Sequence, residues 1–238
     1  MFSRVISAAV YGIDAYIVNV ETDVGFGLPT FDMSGALGSK VREAKDRVRV
    51  AIKNSGIELT PQKIVINISP ANIRKEGTIY DLPIAIGILA ANGCFDLKIL
   101  ENVLIIGEVS LDGSINPVKG VLPMVCAAKE AGIDNCIIPK ANIAEGRIIN
   151  NINIYGVETL SQTIEILKNI AVIDGSRKNI KQADVKSGEC NKSDGNINND
   201  TYNVLERSRV KFTYGSEVKN NNHSCSYNID YSDISGQE

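Results

Sequence analysis

The sequence predicts an α+β domain, a two-layer arrangement with helices packed on a mixed β-sheet, followed by a disordered C-terminal tail. Three observations predict it. Runs rich in β-branched residues (Ser3–Tyr11, Ala15–Glu21, Ile64–Ile68, Val103–Ile106, Cys136–Ile138) read as strands. Segments of helical character (Ser39–Asn54, a stretch from about Asp81, Gly120–Ala131, Ser161–Lys168) are interleaved with them. Beyond about Gly175 both patterns dissolve: residues 176–238 hold ten Asn, four Ile and no long apolar run.

In chain order, Ser3–Tyr11 and Ala15–Glu21 flank Gly12-Ile13-Asp14 and read as a hairpin. Gly25-Phe26-Gly27 makes a loop, and Leu28–Ser34 supplies a third strand. Ser39–Asn54 is amphipathic: Val41, Ala44, Val48, Ala51 and Ile52 recur at three-and-four spacing, with Ser39 as the expected cap and Gly56 as the stop. The stretch Lys63–Phe95 is the centre of the chain. Its apolar run Ile64, Val65, Ile66, Ile68 turns at Ser69-Pro70 into the charged loop Arg74-Lys75-Glu76-Gly77. A helix follows with no polar face (Leu82, Ile84, Ala85, Ile86, Ile88, Leu89, Ala90), so it belongs in the interior. At about twelve residues it is too short to cross a bilayer. Asp81 is placed to cap it, Pro83 is tolerated in its first turn and Gly93 can end it. Val103–Ile106 and Cys136–Ile138 are continuous apolar runs, as in strands buried on both faces.

At 238 residues and 44% hydrophobic content the chain can bury a sizeable core, and a net charge of −3 supplies no global attraction to nucleic acid or membrane. Any such binding has to come from a local patch. The five cysteines are scattered without a CxxC pair, which reads as reduced thiols in a cytoplasmic protein. Cys94, Cys126 and Cys136 sit in apolar contexts as core fillers. The N-terminus MFSRVISAAVYGID is a strand pattern and not an export signal.

Three segments carry a resemblance: GLPTFDMSGALGSKVREAKDRVRVAIKNSG (27–56), PANIRKEGTIYDLPIAIGILAANG (70–93) and GEVSLDGSINPVKGVLPMVCAAKEAG (107–132). In this order and spacing they resemble the N-terminal domain of the magnesium-chelatase-like AAA+ ATPases called ComM or YifB. The resemblance implies a fold similar to the Lon proteolytic domain and to domain two of ribosomal protein S-five, a mixed sheet with helices on one side, over residues 1–170. Residues 171–226 then read as an Asn-rich linker. Residues 227–238 resemble the start of the family's ATPase domain, so the chain is expected to be an N-terminal fragment. ATP and magnesium would belong to that motor domain, with no cofactor in this chain. The resemblance also implies partners: the chain's own AAA+ domain, neighbouring subunits of a homo-oligomeric ring, and single-stranded or branched DNA handled in recombination and natural transformation. No membrane partner is implied.

A phosphate-cradling G-x-x-x-x-G-K-[ST] loop is absent, since Gly-Lys occurs nowhere in the sequence. Ser–Lys proteolysis needs a serine and a lysine within hydrogen-bond reach. Matching Lys75-Glu76-Gly77 to the protease's nucleophile loop puts Ile79 at the serine position. Matching Asn116–Gly120 to its lysine segment puts Leu122 at the lysine position. Neither side chain can do that work, so the resemblance implies a retained fold and a lost dyad, with no catalytic residue. A metal site has little basis: His223, the only histidine, lies in the tail, and the carboxylates read as dispersed on solvated faces.

Nucleic-acid binding is the open question. Ser39–Asn54 carries Lys40, Arg42, Lys45, Arg47, Arg49 and Lys53. Arg42, Lys45, Arg49 and Lys53 follow 3-4-4 spacing along one stripe, and Arg74 and Lys75 could extend it. Against this stands a solvated face on which Glu43 and Asp46 offset the charge through i,i+3 and i,i+4 pairs. The stripe could also meet a neighbouring subunit. The expected role is a non-catalytic module supporting ring assembly or DNA contact. The alternatives are a residual Lon-like Ser–Lys peptidase and a purely structural oligomerisation module.

Overall fold

A computed structural model describes residues 1–170. The calls on 171–226, on 227–238 and on a lone strand at 209–214 lie outside the described residues. β1 (Phe2–Tyr11) and β2 (Asp14–Gly25) form the expected antiparallel hairpin, Val5 opposite Val20. β2 pairs antiparallel with β4 (Lys63–Ser69), and β3 (Phe31–Ser34) runs parallel to β4 at the edge. On the other side β1 lies parallel to β5 (Val103–Ile105), followed by β8 (Asn135–Pro139) and β9 (Asn153–Val157). The seven strands are ordered β3-β4-β2-β1-β5-β8-β9, and β6 (Glu108–Val109) with β7 (Ile115–Asn116) makes a separate ribbon.

The helices are α1 (Ser39–Arg42), α2 (Ala44–Asn54), α3 (Asp81–Ala91), α4 (Val121–Glu130) and α5 (Ile143–Gly146), with 160–170 as the closing helix α6. The single helix expected over Ser39–Asn54 is interrupted at Glu43. Ser39 is not its cap: Gly38 takes that position, and no side chain bonds the free amides. All of α3 is buried, as its uniform apolarity demanded. Gly93, at φ +80°, reverses the chain just beyond it.

Successive β-strand residues face opposite sides, and the two sides have separate cores. Val5 and Ala9 of β1, with Val103 and Ile105 of β5, meet α2, α3 and α6. Ala8 and Ile6, with Leu104, Ile106, Cys136 and Ile138, meet Val121, Met124, Val125 and Ala128 of α4. The mixed sheet with helices on it is therefore as expected, while the helices occupy both faces rather than one. The reason lies in β5 and β8, whose continuous apolar runs present hydrophobic side chains to both sides. β9 and the β6/β7 ribbon are additional to the sequence expectation; flanking asparagines and Gly156 hide the former.

Cys136 sits in the second core, and burial pushes its thiol up from 9.0 to about 12. The folded state keeps a proton that the unfolded chain releases. This contribution to stability is full below pH 9 and is lost as pH climbs through 9 toward 12. Cys136→Val is expected to flatten that part of the alkaline limb of Tm against pH, leaving the neutral region nearly unchanged.

Candidate nucleic-acid interface and the neighbouring groove

α2 presents two faces. Ala44, Val48, Ala51 and Ile52 are buried against the sheet and α3, while Lys45, Arg49 and Lys53 are exposed, as is Arg42 at the end of α1. The break at Glu43 leaves that residue in helical conformation (φ −72°, ψ −15°), so the 3-4-4 stripe survives it. Asp46 shares this side, yet neither it nor Glu43 forms an ion pair with Arg42, Lys45, Arg49 or Lys53; Glu43 approaches Arg47 at 3.8 Å instead. Among the described residues the four stripe cations have no carboxylate within 4.0 Å. The offsetting pairs that a solvated face would use are absent. Arg49 lies 5.7 Å from the centre of the Phe31 ring, a cation–π distance.

Arg47, on the same helix, has a different job. Its Nε donates to Oδ2 of Asp81 at 2.7 Å, and its Nη2 donates to Oδ1 at 2.9 Å and to the Lys40 carbonyl at 2.9 Å. Asp81 is completely buried. It is therefore not the cap of α3 but the second residue of a structural ion pair; Tyr80 stands at the cap position. Nor are all carboxylates dispersed on solvated faces. Burial pushes the Asp81 carboxyl upward and the Arg47 fork opposes it, while the bond to Asp81 raises the guanidinium.

The extension through Arg74 and Lys75 is half corrected. Arg74 is exposed and pairs with Glu76 at 2.7 Å. Lys75 is completely buried, and its Nζ donates to the Pro70 carbonyl. Its backbone explains this: its N–H donates to Ala36 O at 2.8 Å and its C=O accepts from Gly38 N at 2.9 Å, tying the residue to the segment before α1. Burial lowers its pKa. It cannot contact a partner's phosphate.

Lys40 and Arg74 lie instead on a groove of about 670 Å³ walled by the end of β1, the 76–80 loop, Glu108 and Pro117–Lys119. Ile79, at the protease's serine position, lines it. Leu122, at the lysine position, is half-buried in the first turn of α4 and does not line it; its N–H donates to Glu145 Oε1 at 2.9 Å. The groove does contain groups that motif matching passed over. Thr78 Oγ1 donates to Glu108 Oε2, and Glu108 Oε1 accepts from Asn116 Nδ2 at 3.3 Å. Lys119 stands opposite with no ion pair. Any hydroxyl chemistry here would have to begin at Thr78, whose only sequence signal was its place beside Ile79. No group of three or more metal-ligating side chains occurs among the described residues. No helix among them is long and apolar enough to cross a membrane.

A profile described as subunit ChlI of Mg-chelatase matches residues 20–142. Competence protein ComM of Haemophilus influenzae is 36% identical over 163 residues, covering 68% of this chain and 32% of that protein. YifB of Escherichia coli is 40% identical over 148 residues, 62% of this chain and 29% of its own length. An archaeal Lon protease of Thermococcus kodakarensis is 31% identical over 151 residues, 61% of this chain and 23% of the protease. The chain thus spans about a third of the length of the first two relatives, and its described part carries the fold that relates it to the third. With the match covering the hairpin's second strand through α5's start, the chain belongs to the magnesium-chelatase ChlI family, with ComM and YifB among its homologues.

Proposed function

We propose that residues 1–170 are a non-catalytic N-terminal module of a ComM/YifB-type AAA+ ATPase that contacts DNA while a motor domain, holding ATP and magnesium, hydrolyses the nucleotide. The cytoplasm is the compartment this reading implies. One observation carries it: four cations in line on a rigid helix, none neutralised by a neighbouring carboxylate. A stripe of this kind binds phosphate backbones through charge without reading bases. The absence of a catalytic role is supported by Ile79 and Leu122, which cannot replace a serine and a lysine. The same stripe facing a neighbouring subunit of a ring is the second reading, since a conserved acidic surface there would serve as well as phosphate.

The test is fluorescence anisotropy of the full chain with single-stranded and branched DNA across a salt series. Four phosphate contacts at about 0.7 each give an expected slope near −3 in log K against log salt. Arg42→Glu, Lys45→Glu and Arg49→Glu together are expected to weaken binding by about a hundredfold or more. These positions are exposed, so the thermal transition should stay within a few degrees. Absence of binding at low salt from the folded chain would leave assembly as the module's work.

A further inference from the structure

We propose that this surface takes single-stranded in preference to duplex nucleic acid, with an unpaired base stacked on Phe26 beside the cationic stripe. The inference rests on the DNA-contact reading above and adds to it the form of nucleic acid. Phe26 is exposed to 107% and Leu28 to 84%, in a loop whose other large side chains do not cover them. The register fixes where that loop lies. Gly25 is opposite Lys63, and Phe31 is opposite Ile64, so residues 26–30 cross the start of β4. Thr30 O accepts from Ile64 N at 2.9 Å, and a Cβ built at Gly27 would stand 3.9 Å from Lys63 Cβ. Pro29 then lines an apolar hollow of about 240 Å³ with Phe31, Arg49 and Pro61.

Phe26 is therefore the apolar tip of a rim carrying Arg49 and Lys63, with Lys53 one turn further along α2. The opposing charges nearby are few. Glu58 lies in the loop before β4, and Asp32 projects from the face of β3 opposite Phe31. An aromatic ring fully in water beside unneutralised cations matches a strand that offers phosphates and a free base face together. In a duplex the base faces are already stacked, and only their edges are reachable in the grooves. The occupant is therefore a single strand, not a protein surface, which would offer no such repeat of charge and ring.

The chain contains no tryptophan, so Phe26→Trp creates a single fluorescent reporter in the full-length protein. Its emission should be quenched by a thymidine dodecamer and not by an abasic oligomer with the same number of phosphates. Phe26→Ala should weaken dodecamer binding roughly ten- to a hundredfold, leaving duplex affinity and the salt slope unchanged. Equal binding of the abasic and thymidine strands, or undiminished binding by Phe26→Ala, would overturn the stacking. If the Arg42/Lys45/Arg49 reversal abolishes binding while Phe26→Ala does not affect it, DNA contact stands and stacking falls. If the wild-type chain binds no oligomer, both fall. A Phe26→Ala change confined to sedimentation mass would make the ring a contact between copies of this chain and would also overturn the proposal.

Discussion

Arg47→Ala is expected to cost about 3–5 kcal/mol, because it leaves the completely buried Asp81 carboxylate without its counter-charge. The loss is larger than a surface salt bridge would give, since the fork joins three elements: α2 through Arg47, α3 through Asp81 and α1 through the Lys40 carbonyl. Burial already pushes the Asp81 carboxyl upward, with Arg47 the principal group restraining it. Without the fork, folded Asp81 keeps its proton to higher pH than the unfolded chain, whose ordinary value is 3.8. The native variant then holds a proton that the unfolded chain loses, so its stability should fall as pH rises from 4 toward 7. Urea denaturation across that range checks both the size and the sign. The double variant Arg47→Met/Asp81→Leu should recover much of the loss, since an apolar pair of similar volume leaves no stranded charge. A flat pH response in Arg47→Ala, with a loss under 1 kcal/mol, would show that the pair is dispensable.

Gly87→Val should destabilise by about 3 kcal/mol through overpacking. α3 approaches the hairpin so closely at this point that a Cβ would sit 2.6 Å from Thr22 Oγ1 and 3.6 Å from Val5 Cγ2. Thr22 is a β-branched, fully buried residue of β2, so it has little freedom to turn aside. The Gly87 carbonyl also accepts from Ser3 Oγ at 2.8 Å, and lifting the helix would strand that buried hydroxyl. Gly93→Ala is the informative contrast. Nothing lies within 4 Å of its Cβ position, and its cost should be the roughly 1–2 kcal/mol of a left-handed alanine. Comparable losses at the two sites would mean that close packing at Gly87 is not what requires glycine.

The hairpin, β4, α3 and α4 were legible because each writes its environment into a local period or an uninterrupted apolar run. The second core was half legible: Val103–Ile106 and Cys136–Ile138 read as buried on both sides, though which helix covered the far face did not follow from them. Charge burial was not legible at all. Arg47 and Lys75 look like their exposed neighbours in sequence, and only the packing of α1–α2 against the 70–81 segment decides that one forms an ion pair and the other is enclosed. The stripe could be read from 3-4-4 spacing, whereas its lack of neutralising partners could not, since Asp46 is correctly spaced to pair. Phe26 carried no periodic signal, because one exposed ring in a glycine-flanked loop belongs to no pattern.

β1 is the first strand in sequence and a middle strand in space, with Ile6 beside Leu104. On a ribosome this sets a timetable. β2 and β4 can join β1 once Ser69 has been made, and α2 and α3 can then close the first core. The opposite side of the same hairpin, with Ile6, Ala8 and Ile17, waits for α4, whose last residue is Glu130. From Ser69 to Glu130 is about sixty residues, roughly 3–12 s of synthesis at 5–20 residues per second. During that interval a nascent half-domain carries one finished face and one greasy face, a natural landing place for a ribosome-associated chaperone.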